Sequence, residues 1–204
     1  KQRLLRRTFA GEDAWCQLFS APGAGSDLAG LACRAVRDGD EWVITGEKWF
    51  TSAGRVADIL FVMCTNGMFV VPRETPGVEF VPDGPRAHSH IRYDDVRVPL
   101  DHLLGPEDGA KVLAQRRLGG GRIHHAMRSI AQCKLAFDMM CERALARTTQ
   151  GEALAQKQLV QAMIADSWID IEQFRLLVLQ TAWKIDRYDD YQRVRADISA
   201  VKAA

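Results

Sequence analysis

Two stretches decide how this chain folds: Phe19-Ser20-Ala21-Pro22-Gly23-Ala24-Gly25-Ser26-Asp27 and Glu41-Trp42-Val43-Ile44-Thr45-Gly46-Glu47-Lys48-Trp49-Phe50-Thr51-Ser52. The first cannot continue any regular element. Gly23 and Gly25 allow positive φ and close approach of a ligand to bare backbone. Pro22 stiffens the turn, and Ser20, Ser26 and Asp27 can hydrogen-bond neighbouring amides. Successive N–H groups in such a loop form a concavity suited to an anion or to the polar edge of a heterocycle. The same composition also fits an ordinary surface turn. The second stretch is rich in β-branched and aromatic residues and reads as strand.

Working outward, the β pattern extends over much of the first half. Leu31–Arg37 and Glu41–Thr45 are joined by Asp38-Gly39, a strong hairpin signal. Lys48–Thr51, Asp58–Cys64, Met68–Val71, Val78–Val81 and His90–Val98 are further strand candidates, with Asn66-Gly67 predicting a two-residue hairpin. Short strands with frequent turn signals predict a small antiparallel sandwich or barrel. Before them, Lys1–Phe9 reads as the tail of a helix. After Arg97-Val98-Pro99 and a loop over Asp101–Asp108, the period becomes helical. Leu118-Gly119-Gly120-Gly121-Arg122 reads as the opening of a long helix, with Arg122 one turn inside it. Ile123, Met127, Ile130, Lys134, Phe137, Met140 and Ala144 mark its inner face, and its Met and aromatic residues read as core.

A break at Arg147–Gly151 precedes a second helix, from about Leu154 to Ile185, whose inner stripe includes Val160, Ile164, Trp168, Ile171, Phe174 and Val178. Asp189-Asp190 caps a third, carrying Tyr191, Val194, Ile198 and Val201. The expected class is α+β: an antiparallel β-barrel or sandwich followed by an antiparallel helical bundle, with the boundary near Leu104.

Composition narrows the function. The 204 residues are 47% hydrophobic, enough for a sizeable core. Twenty-seven basic against 26 acidic residues leave a net charge of +1, which argues against a nucleic-acid footprint. The five cysteines, odd in number and without a CxxC pair, predict reduced buried thiols in a soluble intracellular protein. No run approaches the roughly 20 apolar residues of a membrane span. His124-His125 invites a metal reading, but adjacent helical side chains diverge by about 100° and Arg128 and Ser129 stand where a partner ligand would be. No metal is expected.

Taken together, the Phe19–Asp27 loop, the Arg37-Asp38-Gly39-Asp40 turn and Gly46-Glu47-Lys48-Trp49-Phe50-Thr51-Ser52 resemble the middle domain of the acyl-CoA dehydrogenases. Gly121-Arg122-Ile123-His124-His125-Ala126-Met127-Arg128 is similar to the branch containing acyl-CoA dehydrogenase members 10 and 11. The resemblance covers nearly the whole chain. It implies the end of an N-terminal helical domain at 1–10, a β middle domain at 11–104 and an incomplete C-terminal bundle at 105–204. The chain thus reads as a fragment, beginning without methionine and ending in a helical pattern. Relative to the family, the connections near Asn66 and at Pro82–Arg86 are short.

The resemblance also implies FAD. Phe19, Ser20, Gly25 and Ser26 match the loop whose backbone meets the flavin. Phe50 stands where many members carry a tryptophan beside the isoalloxazine, Trp49 can supply that indole, and Ser52 matches a hydroxyl near flavin N5. Arg147-Thr148-Thr149-Gln150-Gly151 occupies the place of an Arg-x-x-Phe-Gly turn that meets the FAD pyrophosphate of an adjacent subunit, and Gln158 matches a glutamine after it. Ser26, Leu118 and Arg122 fall on the acyl-CoA side. Two departures are visible: Ala21 replaces a glutamate and Gln150 a phenylalanine.

In this family a carboxylate removes the α-proton of an acyl thioester while a β-hydride passes to flavin N5. One family position for that base is Gly121 here, and Asp166, Asp170, Glu172, Asp186, Asp189 and Asp190 match neither position, so the base is expected beyond Ala204. The implied partners are an acyl-CoA substrate, an electron-accepting flavoprotein and further copies of the chain in a dimer or homotetramer. The implied setting is fatty acid metabolism in the bacterial cytoplasm, or in mitochondria or peroxisomes of a eukaryote. Two other readings stay open: a same-fold flavoprotein with other chemistry, such as monooxygenation, and a non-catalytic acyl-CoA- or FAD-binding protein.

Overall fold

A computed structural model of the chain describes residues 2–82 and 88–204, so most of the short Pro82–Arg86 connection lies outside the described residues. Helix α1 (Gln2–Ala10) is followed by strands β1 (Trp15–Leu18), β2 (Arg34–Asp38), β3 (Glu41–Ser52), β4 (Ile59–Met63), β5 (Met68–Pro72), β6 (Val78–Val81) and β7 (His88–Pro99). The helices α2 (Ala110–Ala146), α3 (Gln158–Tyr188) and α4 (Tyr191–Ala203) come next, with a two-strand ribbon of β8 (Thr148–Thr149) and β9 (Glu152–Ala153) between α2 and α3. The chain divides into two compact units, residues 1–114 and 115–204.

The first unit is a sandwich of two sheets, in orders β2-β3-β7-β6 and β1-β4-β5. It is not a closed barrel. The larger sheet is antiparallel throughout, whereas β1 pairs with β4 in parallel. That pairing departs from the all-antiparallel expectation, because an edge strand far away in sequence has no hairpin to dictate its direction. Alternation along the strands sends Trp42, Ile44, Val96 and Val98 from one sheet toward Leu60, Val62, Phe69 and Val71 of the other, all buried in one core. Trp42 meets Phe69 edge-on, with centroids 5.4 Å apart. Each such aromatic contributes about 3 kcal/mol by burial alone.

The hairpin expected at Asp38-Gly39 forms one residue later, with Gly39 (φ +61°) and Asp40 as the loop between the paired Asp38 and Glu41. The β4–β5 hairpin is centred on Thr65-Asn66, one residue before the expected Asn66-Gly67: Met63 pairs with Met68, and Cys64 N donates to Gly67 O at 2.8 Å. The two expected strands Glu41–Thr45 and Lys48–Thr51 are one long strand. It bends at Gly46 (φ +141°), where a Cβ would stand 2.7 Å from Cys33 Cα, and again between Lys48 and Thr51.

In the second unit, Ala126, Val178 and Val201 from three helices form a small core, with Ile123, Ile130, Phe174 and Leu177 against it. The expected opening at Leu118–Arg122 is corrected: α2 begins at Ala110, and Arg122 lies in its interior. A Cβ at Gly119 would press 2.8 Å from the Tyr191 ring, which gives a glycine there a packing role, while Gly120 and Gly121 face open space. The expected inner stripe is corrected too. Met127 and Trp168 are exposed, as are Met139, Met163 and Trp183. These helices are apolar on more than one face, and periodicity does not say which face a neighbour covers. Asp190 caps α4, accepting from Gln192 N at 2.9 Å, and Asp189 closes α3 in the left-handed region.

Candidate functional site

In the β unit the structure brings the two decisive stretches together. Trp49 N donates to Ser20 O at 3.0 Å, and Lys48 Nζ donates to Phe19 O at the same distance. The loop closes on itself through paired Ala21–Ala24 hydrogen bonds at 3.0 Å, which bury both alanines. Asp27 is occupied locally, accepting from Ala29 N at 3.1 Å. Gly23 and Gly25 do not use positive φ, contrary to one motive for expecting them. Their value lies in the second motive, since a Cβ at either would meet nothing within 4 Å. Bare backbone is left facing open space beside Ser20 and Ser26.

The partner strand presents aromatic rings. The register slip between Lys48 and Thr51 puts Phe50 at φ +54°, a backbone region that costs a non-glycine residue about 1–3 kcal/mol. Its ring is 59% exposed, an unusual position for a phenylalanine in strained backbone. Trp49 stands edge-on to it at 5.9 Å and tilts over the His90 ring at 4.4 Å.

Four residues here escaped the sequence reading: His88, His90, Arg92 and Glu47. Ser52 Oγ shares a hydrogen bond of 3.0 Å with His88 Nδ1, so the candidate hydroxyl is oriented by a histidine. His90 Nε2 donates to Glu47 Oε2 at 2.9 Å, and Arg92 Nε to Glu47 Oε1 at 3.1 Å. Those bonds, His90's first and then Arg92's, hold the Glu47 carboxyl below its ordinary range. The period-two run His88, His90, Arg92 on one face of β7 was the signal that could have found them. Lys48 is the other surprise. It is fully buried, and burial draws its amine below the ordinary lysine value.

The helical unit gathers Arg147, Gln150 and Gln158 around the β8–β9 ribbon. Gln150 (φ +54°) and Gly151 (φ +85°) form its two-residue turn, a geometry with positive φ at both positions. A phenylalanine would gain no obvious packing at so exposed a turn, and Gln150 instead accepts from Lys157 Nζ at 3.1 Å. Leu154 N donates to Arg147 O at 2.8 Å, tying the ribbon closed. Arg147 is exposed, and among the described residues no carboxylate pairs with its guanidinium. Gln158 is the first residue of α3 and is exposed, while Leu118 and Arg122 are half-buried on α2. His125 meets Arg128 at 3.4 Å.

The β unit offers an open backbone loop, two rings able to flank a heterocycle and an oriented hydroxyl, donor chemistry that fits a planar cofactor; the helical unit by itself offers Arg147, an exposed cation with no carboxylate partner among the described residues. Among the described residues no helix is long and apolar enough to cross a membrane.

The comparisons with known proteins agree with this geometry. The acyl-CoA dehydrogenase middle domain matches residues 16–96 and the acyl-CoA dehydrogenase C-terminal domain residues 107–204. The chain is 38% identical over 199 residues to a Mycobacterium tuberculosis protein described as probable acyl-CoA dehydrogenase FadE2, covering 88% of this chain and 49% of that one. It is 32% identical to acyl-CoA dehydrogenase family member 11 of Gallus gallus, covering 99% of this chain and 29% of the relative. A crystal structure of a probable acyl-CoA dehydrogenase from Mycobacterium abscessus superimposes with a TM-score of 0.82 at 25% identity, over 99% of this chain and 57% of that one. The chain therefore spans about half the length or less of these relatives. With both domains matched in order across a shared fold, the chain belongs to the acyl-CoA dehydrogenase family.

Proposed function

We propose that this chain is the flavin- and thioester-binding portion of an FAD-dependent acyl-CoA dehydrogenase, an oxidoreductase acting on the CH–CH bond beside an acyl-CoA thioester. One observation carries the reading: Lys48 and Trp49 clasp the carbonyls of Phe19 and Ser20, so an open glycine loop lies against half-buried Trp49 and exposed Phe50. FAD, when bound, supplies the acceptor for the β-hydride at its N5.

The chain's own residues do the holding. Phe19, Ser20, Gly25 and Ser26 offer backbone and hydroxyl groups along the flavin edge, and Trp49 and Phe50 flank the ring. Ser52, fixed by His88, directs its hydroxyl toward the reacting edge. Arg147 contributes charge to the diphosphate, with Gln150 and Gln158 beside it and a neighbouring subunit completing the site. Ser26, Leu118 and Arg122 orient the thioester arm, and orientation alone accounts for several kcal/mol of such a barrier. The α-proton is not assigned to Asp166, Asp170, Glu172, Asp186, Asp189 or Asp190. The electron-accepting partner is a second flavoprotein, the assembly a dimer or homotetramer, and the setting fatty acid metabolism in the bacterial cytoplasm, or in mitochondria or peroxisomes.

The test is optical. The protein purified with FAD should be yellow, and an acyl-CoA added without oxygen should bleach it. A colourless preparation that does not take up FAD refutes the cofactor, whereas colour without bleaching by any acyl-CoA favours the same fold with another chemistry. Arg147→Ala should lower FAD retention about tenfold or more, as expected for a charge-assisted phosphate contact. Arg122→Ala should weaken the acyl-CoA response and leave FAD bound. A variant at 122 that loses flavin first reverses the two assignments.

A further inference from the structure

The β unit holds a buried reactive cluster that the proposed flavin contacts do not use. Cys33 precedes β2 and Cys64 follows β4, so this pair of thiols bridges the two sheets of the sandwich. Both are 0% exposed, and their sulfurs lie 3.6 Å apart. The backbones are laced at this point. Thr65 N donates to Cys33 O at 2.9 Å, and Asn66 Nδ2 donates to Ala35 O at 2.9 Å. A disulfide needs the sulfurs at about 2.05 Å, so the 3.6 Å gap closes by a modest movement shared between two side chains.

The buried Lys48 supplies the pair with a positive charge. Among the described residues no carboxylate pairs with its ammonium, and the ionisable groups that act on its charge are the Cys33 and Cys64 thiols. An unpaired buried ammonium is costly, so a thiolate is its natural counter-charge. The contact with Cys64, in which either sulfur can donate, draws the Cys33 thiol below its ordinary range against the opposing effect of burial, with a smaller pull from Lys48. The same contact, and then burial, holds Cys64 well above its ordinary range. The Tyr93 hydroxyl, buried without a partner, lies near the same sulfurs. An attacking thiolate beside a resolving thiol is the arrangement of a peroxide-sensitive cysteine pair.

We propose that Cys33 and Cys64 are a modification site: hydrogen peroxide converts them to a reversible disulfide that staples the two sheets. The Cys33 thiolate attacks one peroxide oxygen, the O–O bond breaks, and the departing hydroxide takes up the proton that the Cys33 thiol lost on ionising and leaves as water. Cys64 then gives up its proton and attacks the sulfenic sulfur of Cys33. The S–O bond breaks, and the released hydroxide with that proton forms a second water. Two thiols lose two electrons and one peroxide is reduced to two waters. The buried position favours so small an oxidant over bulky disulfides. The reaction removes the negative charge facing Lys48, the residue that holds Phe19 O; the consequence for the loop, though not the disulfide, rests on the proposed flavin site.

The experiment treats the reduced protein with hydrogen peroxide, quenches by alkylation under denaturing conditions, and maps the peptides by mass spectrometry. The expected product is a Cys33–Cys64 cross-linked peptide lighter by two hydrogens and restored by dithiothreitol. Cys64→Ser should stop at one added oxygen on Cys33. Lys48→Met should slow cross-linking about tenfold, and Lys48→Arg, which keeps the charge should the methionine variant not fold, should preserve the rate. Two results overturn the proposal: Cys33 and Cys64 both alkylated after the exposed Cys133 is oxidised, or oxygen added to Cys33 with no cross-link. Flavin retention does not enter this readout, so its failure and that of the proposed function are distinguishable.

Discussion

The two units solve the same packing problem to different degrees. In the β unit the residues that the alternating pattern marks as inward, such as Ile44, Leu60, Val62, Phe69 and Val96, are all fully buried. In the helical unit a small core around Ala126, Val178 and Val201 coexists with outward-facing Leu135, Met139, Trp168, Leu176 and Trp183. A strand has two faces, and one sheet stacked on another settles both at once. A helix with apolar residues around much of its circumference needs several neighbours, and one neighbour settles only part of it.

That contrast can be broken most sharply at Phe69. Phe69→Ala should cost about 3–5 kcal/mol in chemical denaturation, because it empties a closed core. Trp183→Ala should change stability by no more than about 0.5 kcal/mol. A Trp183→Ala loss that grows with protein concentration would mean the exposed helical face is covered in solution. Next in size is Gly46→Ala, expected to cost about 2 kcal/mol, since its φ of +141° and the 2.7 Å approach to Cys33 Cα leave no room to relax. An unchanged melting temperature would show that the bend is softer than the contact implies.

The helix glycines give a smaller, signed test. Gly121→Ala should stabilise by about 0.5–1 kcal/mol, while Gly119→Ala, which meets the Tyr191 ring at 2.8 Å, should not. The smallest effect lies with Glu47. Its carboxyl is held below the ordinary value in the folded protein, so its contribution is full above an unfolded value of about 4.3 and is lost as pH falls through that range. Partial exposure limits it to about 0.5 kcal/mol. Glu47→Gln should flatten that acid limb of the stability curve, and an unaltered acid limb would show that His90 and Arg92 do little for it.

What could be read in advance follows from how local the cause is. The hairpin near Asp38-Gly39 and the caps at Asp189-Asp190 are set by residues next to one another; the caps form where expected and the hairpin within one residue of it. The helical glycines misled, because a Gly-Gly-Gly run reads as the start of a helix unless the Tyr191 ring against Gly119 is known. The parallel β1–β4 pairing and the burial of Lys48 depend on partners dozens of residues away. A lysine between Glu47 and Trp49 reads as solvent-facing, and only the Phe19 carbonyl explains its inward turn. Within the candidate site, the loop and the aromatic pair were legible, whereas His88, His90 and Glu47 became visible once β7 was laid beside β3.

The slip in β3 at Phe50 carries one more consequence. Because the ladder loses and regains register around that residue, its side chain is uncoupled from the alternation that fills the core on either side. The position behaves as an interchangeable fitting: tyrosine, leucine or histidine there could retune whatever binds against the strand while the sandwich folds as before.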